Sequence, residues 1–222
     1  MSQIILDMGS GNTLKSLDIA KKMIDEVAAI DTKKHEVIFK VQMFINEPPN
    51  IRIEPSILGG IFGYCTIVKG YKIVASVFDL LSLNFLFRTT RSKKYDLPFI
   101  KIACRPDLYW LIGEIPRKIP VYQSVNPKEY WNGSIGDAAF EWQGSKILKI
   151  LCVSKYPAQI KDYGAGPGGT TAYAISDHTV GLKLFNKHKP QIWEKHYVLE
   201  HDDKNPDAGA FAVTPEDLKE IL

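Results

Sequence analysis

The chain has 222 residues, an apolar fraction of 45% and a formal net charge of +3. This length suits one domain with an ample core. The dispersed basic residues argue against nucleic acid as a partner. The sequence has neither a bilayer-spanning apolar run nor a signal-peptide pattern, which argues against a membrane. The three scattered cysteines fit reduced thiols in a cytoplasm, and we expect Cys104 and Cys152 to be small core residues.

Strand and helix patterns alternate along the chain. Strands are predicted at 4–8, 36–44, 72–78, 97–103, 120–125, 146–154, 173–176 and 191–199. Helices are predicted at 14–30, 80–87, 106–115, 180–186 and 214–222. The Pro- and Gly-rich region 45–70 is left without assigned structure, and the connections 126–145 and 156–172 look too short or irregular for full helices.

Eight strands with helices between them favour a compact (β/α)8 TIM barrel, a fold of about 250 residues whose lower limit is about 200. We predict one such domain over residues 1–222. An open doubly wound sheet is the alternative, although it would not need eight strands. The glycine-rich loop 164–169 does not open a helix after a strand, so it is a poor candidate for a phosphate loop.

Two histidine motifs lie near the end of the chain: Ile-Ser-Asp-His-Thr at 175–179 and Trp-Glu-Lys-His at 193–196. Strand side chains alternate, so Ser176 shares a face with His178, and Glu194 shares a face with His196. Trp193 and Lys195 are then expected to face the outer helices, with Lys195 reaching solvent. If the two strands are neighbours, two imidazoles and a carboxylate converge into a site for a metal ion or for an anion.

Polar residues stand at the C-terminal end of every predicted strand, where barrels of this class carry their catalytic groups. Lys40 and Lys101 matter most, because an ammonium inside an apolar strand is costly without an anionic partner. Two lysines and several hydroxyls around one mouth suit a phosphate and a carboxylate. The full set is Asp7, Lys40, Gln42, Ser76, Asp79, Lys101, Ser124, Ser154, Ser176, His178, Glu194 and His196.

Several segments together resemble the N-acetylneuraminate (sialic acid) synthase family. They are Ile-Leu-Asp-Met-Gly at 5–9, Phe-Lys-Val-Gln at 39–42, Leu-Pro-Phe-Ile-Lys-Ile-Ala at 97–103, Leu-Cys-Val-Ser-Lys-Tyr-Pro at 151–157, the two histidine motifs, Pro-Asp at 206–207 and Thr-Pro-Glu-Asp-Leu at 214–218. They cover nearly the whole chain. The ordered pair of histidine motifs is the most specific part.

The resemblance implies an enzyme that condenses phosphoenolpyruvate with an open-chain N-acetyl amino sugar such as N-acetylmannosamine, giving a nine-carbon 2-keto acid and phosphate. It implies that phosphoenolpyruvate is bound by Lys40 and Lys101 with Ser76, Ser124 and Ser176, and that His178 and His196 ligate Mn²⁺ or Mg²⁺, which polarises the sugar aldehyde. Asp7 would position water, Glu194 and Tyr156 would orient the sugar or relay protons, and Gln42, Ser154 and Asp177 would complete the substrate contacts.

The sequence also departs from the family pattern. Asp7 replaces a glutamate, Cys104 replaces a phosphate-binding serine, and the family's C-terminal antifreeze-like domain is not represented. A homodimer and a separate chain that supplies the missing domain are both open. Two other classes also stay open: a catalytically impaired relative that acts as a sugar-binding, anion-binding or assembly module, and a barrel aldolase that uses Lys101 as a Schiff base.

Overall fold

The computed structural model describes residues 1–46, 51–93, 95–132, 139–142 and 144–222. Its strands are β1 (Gln3–Asp7), β2 (Glu36–Met43), β3 (Lys72–Val77), β4 (Ile100–Ile102), β5 (Val121–Val125), β6 (Ala139–Trp142), β7 (Ser145–Cys152), β8 (Ala174–Asp177) and β9 (Ile192–His196). Its α-helices are α1 (Leu17–Ile30), α2 (Pro55–Gly63), α3 (Leu80–Lys93), α4 (Pro127–Trp131), α5 (Lys183–His188) and α6 (Pro215–Leu218). A π-helical turn follows α2 at Tyr64–Val68, and 3-10 helices span Pro106–Glu114, Ile160–Tyr163 and Pro167–Gly169.

Eight parallel strands close into a barrel, which confirms the predicted (β/α)8 fold. The order is β1-β2-β3-β4-β5-β7-β8-β9, and the pairing of β9 with β1 completes the ring. The remaining strand, β6, lies antiparallel to the first half of β7. Among the described helices, none combines the length and the apolar character needed to cross a bilayer.

The side chains that fill the barrel interior form two successive layers, an apolar one and then a polar one two residues further along each strand. The lower layer is Ile5, Ile38, Val74, Phe99, Tyr122, Ile150, Ala174 and Ile192. Two residues further along the same strands stand Asp7, Lys40, Ser76, Lys101, Ser124, Cys152, Ser176 and Glu194. Since side chains two apart share a strand face, the second set forms a polar layer directly above a sealed apolar floor.

The outer faces of the strands pack on the helices, so most strand residues are buried on both sides, as expected of a parallel sheet. Helix α1 shows how the sequence builds this layer. Its N-cap Ser16 accepts a hydrogen bond from the Ile19 amide at 3.2 Å, and the helix buries Ala20, Met23, Ile24 and Val27.

The structure differs from the predicted elements mainly in the connections. The unassigned region contains α2 and a π-helical turn, and α3 runs beyond its predicted end at 87 to Lys93. Among the described residues, the two connections that looked too short for full helices hold the five-residue α4, the strand β6 and short 3-10 turns, so no full helix is seen there. Parts of 45–70 and 126–145, at 47–50, 133–138 and 143, lie outside the described residues.

Candidate active site

The polar layer opens into a cavity of about 290 Å³ at the C-terminal mouth of the barrel. A site at this end of the strands is the general rule for this fold, and the volume lies near the lower end of small-molecule sites. The lining residues are Asp7, Lys40, Gln42, Ser76, Phe78, Lys101, Ala103, Cys104, Arg105, Ser124, Cys152, Ser154, Tyr156, Ser176, His178, Glu194 and His196.

Four buried charges form a continuous chain across the floor of this cavity. Lys101 Nζ lies 2.6 Å from both carboxylate oxygens of Glu194. Lys40 Nζ lies 2.6 Å from Asp7 Oδ2 and 3.6 Å from Glu194 Oε1. Every one of these four side chains is at least nine-tenths buried. Two ammonium groups and two carboxylates sum to zero formal charge, which is what makes their burial tolerable.

The pKa values of three of these groups follow from that pairing. Burial favours the neutral form of Glu194, but Lys101 and Lys40 outweigh it and hold the pKa of Glu194 well below its usual range. Lys40 and His196 likewise keep the pKa of Asp7 low against the effect of burial. Asp7 and Glu194 together raise the pKa of Lys40 although burial opposes this. Both carboxylates are therefore ionised at neutral pH and are weak bases while the lysines hold them.

The neutral polar groups around the charges fall into two classes. Ser76 Oγ accepts a hydrogen bond from Lys40 Nζ at 3.0 Å, Ser176 Oγ donates to Glu194 Oε1 at 2.9 Å, and Gln42 Nε2 donates to Asp7 Oδ2 at 2.8 Å. Ser124 differs, because its hydroxyl is buried, lines the cavity and has no hydrogen-bond partner. A buried hydroxyl without a partner costs free energy, so Ser124 is available to a ligand.

The turn after β1 closes one side of the mouth. Asp7 Oδ1 accepts a hydrogen bond from the Gly9 amide at 3.0 Å, and the Ser10 amide and hydroxyl donate to Asp207 Oδ2 at 2.9 and 2.8 Å. Gly9 has φ +79°, and a Cβ on it would meet Asp207 at 2.8 Å. Only glycine fits both the left-handed backbone and this close approach.

The two histidines stand side by side above Glu194, with ring centroids 5.6 Å apart. His178 Nδ1 lies 2.7 Å from the carbonyl oxygen of Val153, so this nitrogen carries the proton and Nε2 keeps its lone pair. Burial, with a smaller effect from His196, lowers the pKa of His178 to about 3, which makes the ring neutral at physiological pH. His196 Nε2 lies 3.8 Å from Asp7 Oδ2, and its buried Nδ1 has no hydrogen-bond partner.

These histidines fit a metal ion through two imidazoles, because one has its tautomer set by a carbonyl and the other has an unpartnered nitrogen. They do not make a closed protein cage. Among the described residues, no three His, Cys, Asp or Glu side chains are grouped as a metal centre would require. Water or ligand oxygens would have to supply the remaining positions, as they commonly do for Mg²⁺.

The rim of the cavity is aromatic. The Tyr156 ring lies 4.2 Å from the His178 ring and 5.1 Å from the Phe211 ring, measured between centroids. Phe211 is also 5.1 Å from the His196 ring. Tyr156 is 53% exposed, so part of its surface can meet a ligand. Ser154 stands nearby, beyond the end of β7, and lines the same cavity.

Asp79, from the set of strand-end residues, does not line this cavity, and its carboxylate accepts hydrogen bonds from the Ile45 and Ser82 amides. The structure gathers every residue with a predicted catalytic, substrate-binding or metal-binding role but one into the cavity. The exception is Asp177, which was predicted to contact substrate. It follows Ser176 and precedes His178, both of which face inward, so alternation turns it to the outer face of β8. There it is fully buried and accepts hydrogen bonds from the Thr179 amide and hydroxyl at 2.8 Å and from Trp193 Nε1 at 3.0 Å. The prediction that Asp177 contacts the substrate is therefore wrong, because its side chain lies outside the barrel.

Lys195 was expected to reach solvent, and this is also wrong. It does face the outer helices, but its ammonium is fully buried, 3.2 Å from Asp177 Oδ2 and 2.5 Å from the Thr179 carbonyl oxygen. Burial lowers the pKa of Lys195, although Asp177 and, more weakly, Asp217 in helix α6 act to raise it. The sequence alone does not reveal that Lys195 is buried, because its partners Asp177 and Thr179 lie at the end of another strand.

Sequence reasoning also missed Tyr163 and Cys152. The Tyr163 hydroxyl accepts a hydrogen bond from the His178 amide at 2.7 Å and donates to the Ser176 carbonyl at 3.0 Å, so it fixes the end of β8. No local pattern identifies such a contact. Cys152 could have been found, since it lies two residues after the inward-facing Ile150. Cys104 is half-buried and lines the cavity, which corrects its assignment to the core.

No protein-family model matches the sequence, and no curated protein sequence matches it. A solved structure shares the barrel. It is a protein described as spore coat polysaccharide biosynthesis protein E, from Chromobacterium violaceum, which matches with a TM-score of 0.71 and 14% sequence identity. The match covers 99% of this chain and 72% of that chain. At this identity the likeness establishes the fold.

Proposed function

We propose that this barrel condenses phosphoenolpyruvate with an N-acetyl amino sugar to form a 2-keto sugar acid and phosphate. One observation carries the proposal: two buried lysines and an unpartnered buried serine hydroxyl, Ser124 Oγ, face one small cavity. Ammonium groups and a free hydroxyl are the donors that a carboxylate and a phosphate need. The polysaccharide-biosynthesis role described for the structural relative is compatible with a sugar as the second substrate.

In this proposal Lys40 and Lys101 hold the anionic groups of phosphoenolpyruvate, helped by Ser76, Ser124, Ser154, Ser176 and Gln42. Both lysines already have carboxylate partners, so the ligand's anionic oxygens must displace part of the Lys101–Glu194 contact at 2.6 Å. When the ligand weakens this contact, Lys101 lowers the pKa of Glu194 less, so the pKa rises and Glu194 becomes a stronger base. Ligand binding thus turns a resting carboxylate into a proton acceptor beside the substrate.

The remaining groups act on the sugar and on water. C3 of phosphoenolpyruvate attacks the aldehyde carbon, water adds to C2, and the bond from C2 to the phosphate oxygen breaks so that phosphate leaves. Asp7 positions that water, while Glu194 and Tyr156 orient the sugar and carry protons. A divalent Mn²⁺ or Mg²⁺ held by His178 and His196 would polarise the aldehyde oxygen.

A phosphate-release assay with phosphoenolpyruvate, MnCl₂ and N-acetylmannosamine tests the proposal. We expect phosphate and 2-keto acid in equal amounts, and no phosphate without the sugar. His196→Ala should abolish manganese-dependent phosphate release, whereas His35→Ala, just before the start of β2 at the opposite end of the barrel, should not. The proposal fails if no amino sugar supports phosphate release and calorimetry detects no binding of phosphoenolpyruvate.

A second candidate is a binding module that keeps the barrel and recognises a sugar or an anion without turnover. The contact of Lys101 with both oxygens of Glu194 favours it, because this arrangement leaves neither lysine free at rest. Calorimetric binding of phosphoenolpyruvate or of the sugar without phosphate release would select this candidate. The module could then act within a homodimer or with a separate chain, which sedimentation would detect.

A Schiff-base aldolase fits less well. That chemistry needs Lys101 as a neutral amine in an apolar pocket, but its nitrogen lies between two carboxylate oxygens. Failure of borohydride to trap any keto acid on Lys101 is the expected result.

We also propose a single domain over residues 1–222. Because Cys65, Cys104 and Cys152 are free thiols, we propose a cytoplasmic location.

A further inference from the structure

A second cavity, of about 630 Å³, lies on the same side of the barrel as the candidate active site. Its walls come from three segments: the turn after β1, the residues that lead into α2, and the loop after β9. The lining residues fall within 11–15, 52–57 and 202–205, and none of them lines the candidate active site. The two cavities are therefore separate places for a ligand.

The three segments brace one another, so the second cavity is formed without a ligand. The Gly11 amide donates a hydrogen bond to the Ile51 carbonyl oxygen at 2.9 Å, and a Cβ on Gly11 would collide with the Arg52 carbonyl oxygen. Asn205 Nδ2 donates to the Asn12 carbonyl oxygen at 3.3 Å. Small-molecule sites are usually pre-formed in this way.

The cationic side chains of the second cavity have capacity left for a ligand. Lys15 and Lys204 are exposed, and within the described part of the chain neither ammonium has a hydrogen-bond or ion-pair partner. The Arg52 guanidinium lies 3.5 Å from Glu54 Oε1, but its Nε is buried and has no hydrogen-bond partner. A buried donor without a partner costs free energy, which an acceptor on a ligand would recover.

Charge and volume select the class of ligand. The three cationic side chains stand against two carboxylates, those of Glu54 and Asp202, so the lining has a formal charge of +1. Helix α2 begins at Pro55 beside the cavity without a side-chain cap, so the positive end of its dipole adds to this charge. The two carboxylates are acceptors for hydroxyl groups. A volume of about 630 Å³ has room for more than an inorganic anion.

We propose that the second cavity binds the phosphate monoester of a polyol, such as a sugar phosphate. Lys15, Lys204 and Arg52 contact the phosphate, and Glu54 and Asp202 accept hydrogen bonds from the hydroxyl groups of the polyol. Because the two cavities share no lining residue, this inference does not depend on the proposed condensation.

Calorimetry on the full chain with glucose 6-phosphate, inorganic phosphate and glucose tests the proposal. We expect glucose 6-phosphate to bind with a Kd below about 1 mM, inorganic phosphate to bind more weakly, and glucose to give no detectable binding. Added salt should weaken the binding, because the ammonium groups are exposed. No binding of glucose 6-phosphate in this range, or equal binding of glucose or inorganic phosphate, would overturn the proposal.

Substitutions locate the bound phosphate. Lys15→Met/Lys204→Met should weaken binding of glucose 6-phosphate about tenfold or more, since two charged donors are lost. Arg52→Lys keeps the charge but removes Nε, and should weaken binding about threefold. Lys146→Met is the matched control, because Lys146 is an exposed lysine at the start of β7, and its loss should leave the affinity unchanged.

A substitution in the candidate active site separates the two cavities. Ser124→Ala should leave the affinity for glucose 6-phosphate unchanged, because Ser124 lines only the other cavity. A tenfold loss in Ser124→Ala, with full affinity in Lys15→Met/Lys204→Met, would place the ligand in the candidate active site and overturn the proposal.

Discussion

Strands β8 and β9 carry a buried lysine–carboxylate system on each of their faces. On the inner face, Glu194 holds Lys101 at 2.6 Å beside Lys40 and Asp7. On the outer face, Asp177 holds Lys195 at 3.2 Å. Both systems are buried and electrically balanced. The two faces differ in what surrounds the charges.

The outer pair is saturated by protein groups. Asp177 receives hydrogen bonds from Thr179 and Trp193, and Lys195 donates to the Thr179 carbonyl. Burial prevails there and lowers the pKa of Lys195. On the inner face two carboxylates raise the pKa of Lys40, yet Ser124 Oγ and His196 Nδ1 have no partner. Buried charge alone therefore does not identify a site; buried charge beside unpartnered polar atoms does.

Loss of the inner cation should have the largest effect. Lys101→Met should lower kcat/KM for phosphate release by about a thousandfold, because a charged donor to the reacting anion is gone. The substitution also leaves Glu194 without its nearest partner, so the free energy of unfolding falls as well. The double variant Lys101→Met/Glu194→Gln should regain stability without regaining turnover. Recovery of turnover in the double variant would remove Lys101 from the anion site.

Loss of the outer cation should affect stability alone. Lys195→Met leaves Asp177 charged and fully buried, which should lower the free energy of unfolding by about 3–5 kcal/mol. Urea unfolding measures this. The exposed pair of Lys72 with Glu36 is the matched control, and Lys72→Met should cost less than about 1 kcal/mol. Affinity of the folded Lys195→Met protein for phosphoenolpyruvate should be unchanged; a tenfold loss would contradict the division between the two faces.

Tyr163 bonds the backbone on both sides of Asp177, at Ser176 and His178, so its loss should show in both stability and turnover. Tyr163→Phe leaves the His178 amide and the Ser176 carbonyl without their partner and should cost about 1–3 kcal/mol of stability. Because the hydroxyl positions His178 and does not touch the lysines, kcat should fall while the KM for phosphoenolpyruvate stays constant. A rise in KM with constant kcat would assign Tyr163 to substrate binding instead.

The smallest effect on stability is expected at Ser124. Ser124→Ala removes a hydroxyl without a partner, so the free energy of unfolding should stay within about 0.5 kcal/mol or rise. Affinity for phosphoenolpyruvate should fall about tenfold, as for a lost hydrogen bond to a charged group. Ser82 is the control, because its buried hydroxyl accepts a hydrogen bond from the Asp79 amide and donates one to the Asp79 carbonyl. Ser82→Ala should lower stability and leave affinity unchanged.

The sequence predicted the barrel and most of its mouth because both depend on local alternation. An apolar residue followed two positions later by a polar one recurs from strand to strand, as in Ile5 with Asp7 and Phe99 with Lys101. The same rule could have placed Asp177 outside, since its two neighbours face inward. It could also have placed Cys152 inside, but small apolar residues do not stand out as site residues.

Contacts that depend on long-range packing could not be predicted this way. The hydrogen bonds of Tyr163 arise from a 3-10 turn that brings it against β8. The buried partners of Lys195, which are Asp177 and the Thr179 carbonyl, lie at the end of the neighbouring strand β8. Which carboxylate pairs with which lysine also depends on the radius of the closed barrel. None of these is encoded in spacing along a single strand.

The zero net charge of the inner cluster has a kinetic consequence. A cavity lined by unpaired lysines would create a long-range field that draws anions in and weakens as salt is added. Here each ammonium has a carboxylate within 2.6 Å, so the field of the four charges cancels within a short distance of the mouth. An anion must therefore arrive by unguided diffusion and compete for the lysines only at contact. Its association rate should be nearly independent of ionic strength. Selectivity among anions should depend on how well each anion replaces the carboxylates as partner of the lysines.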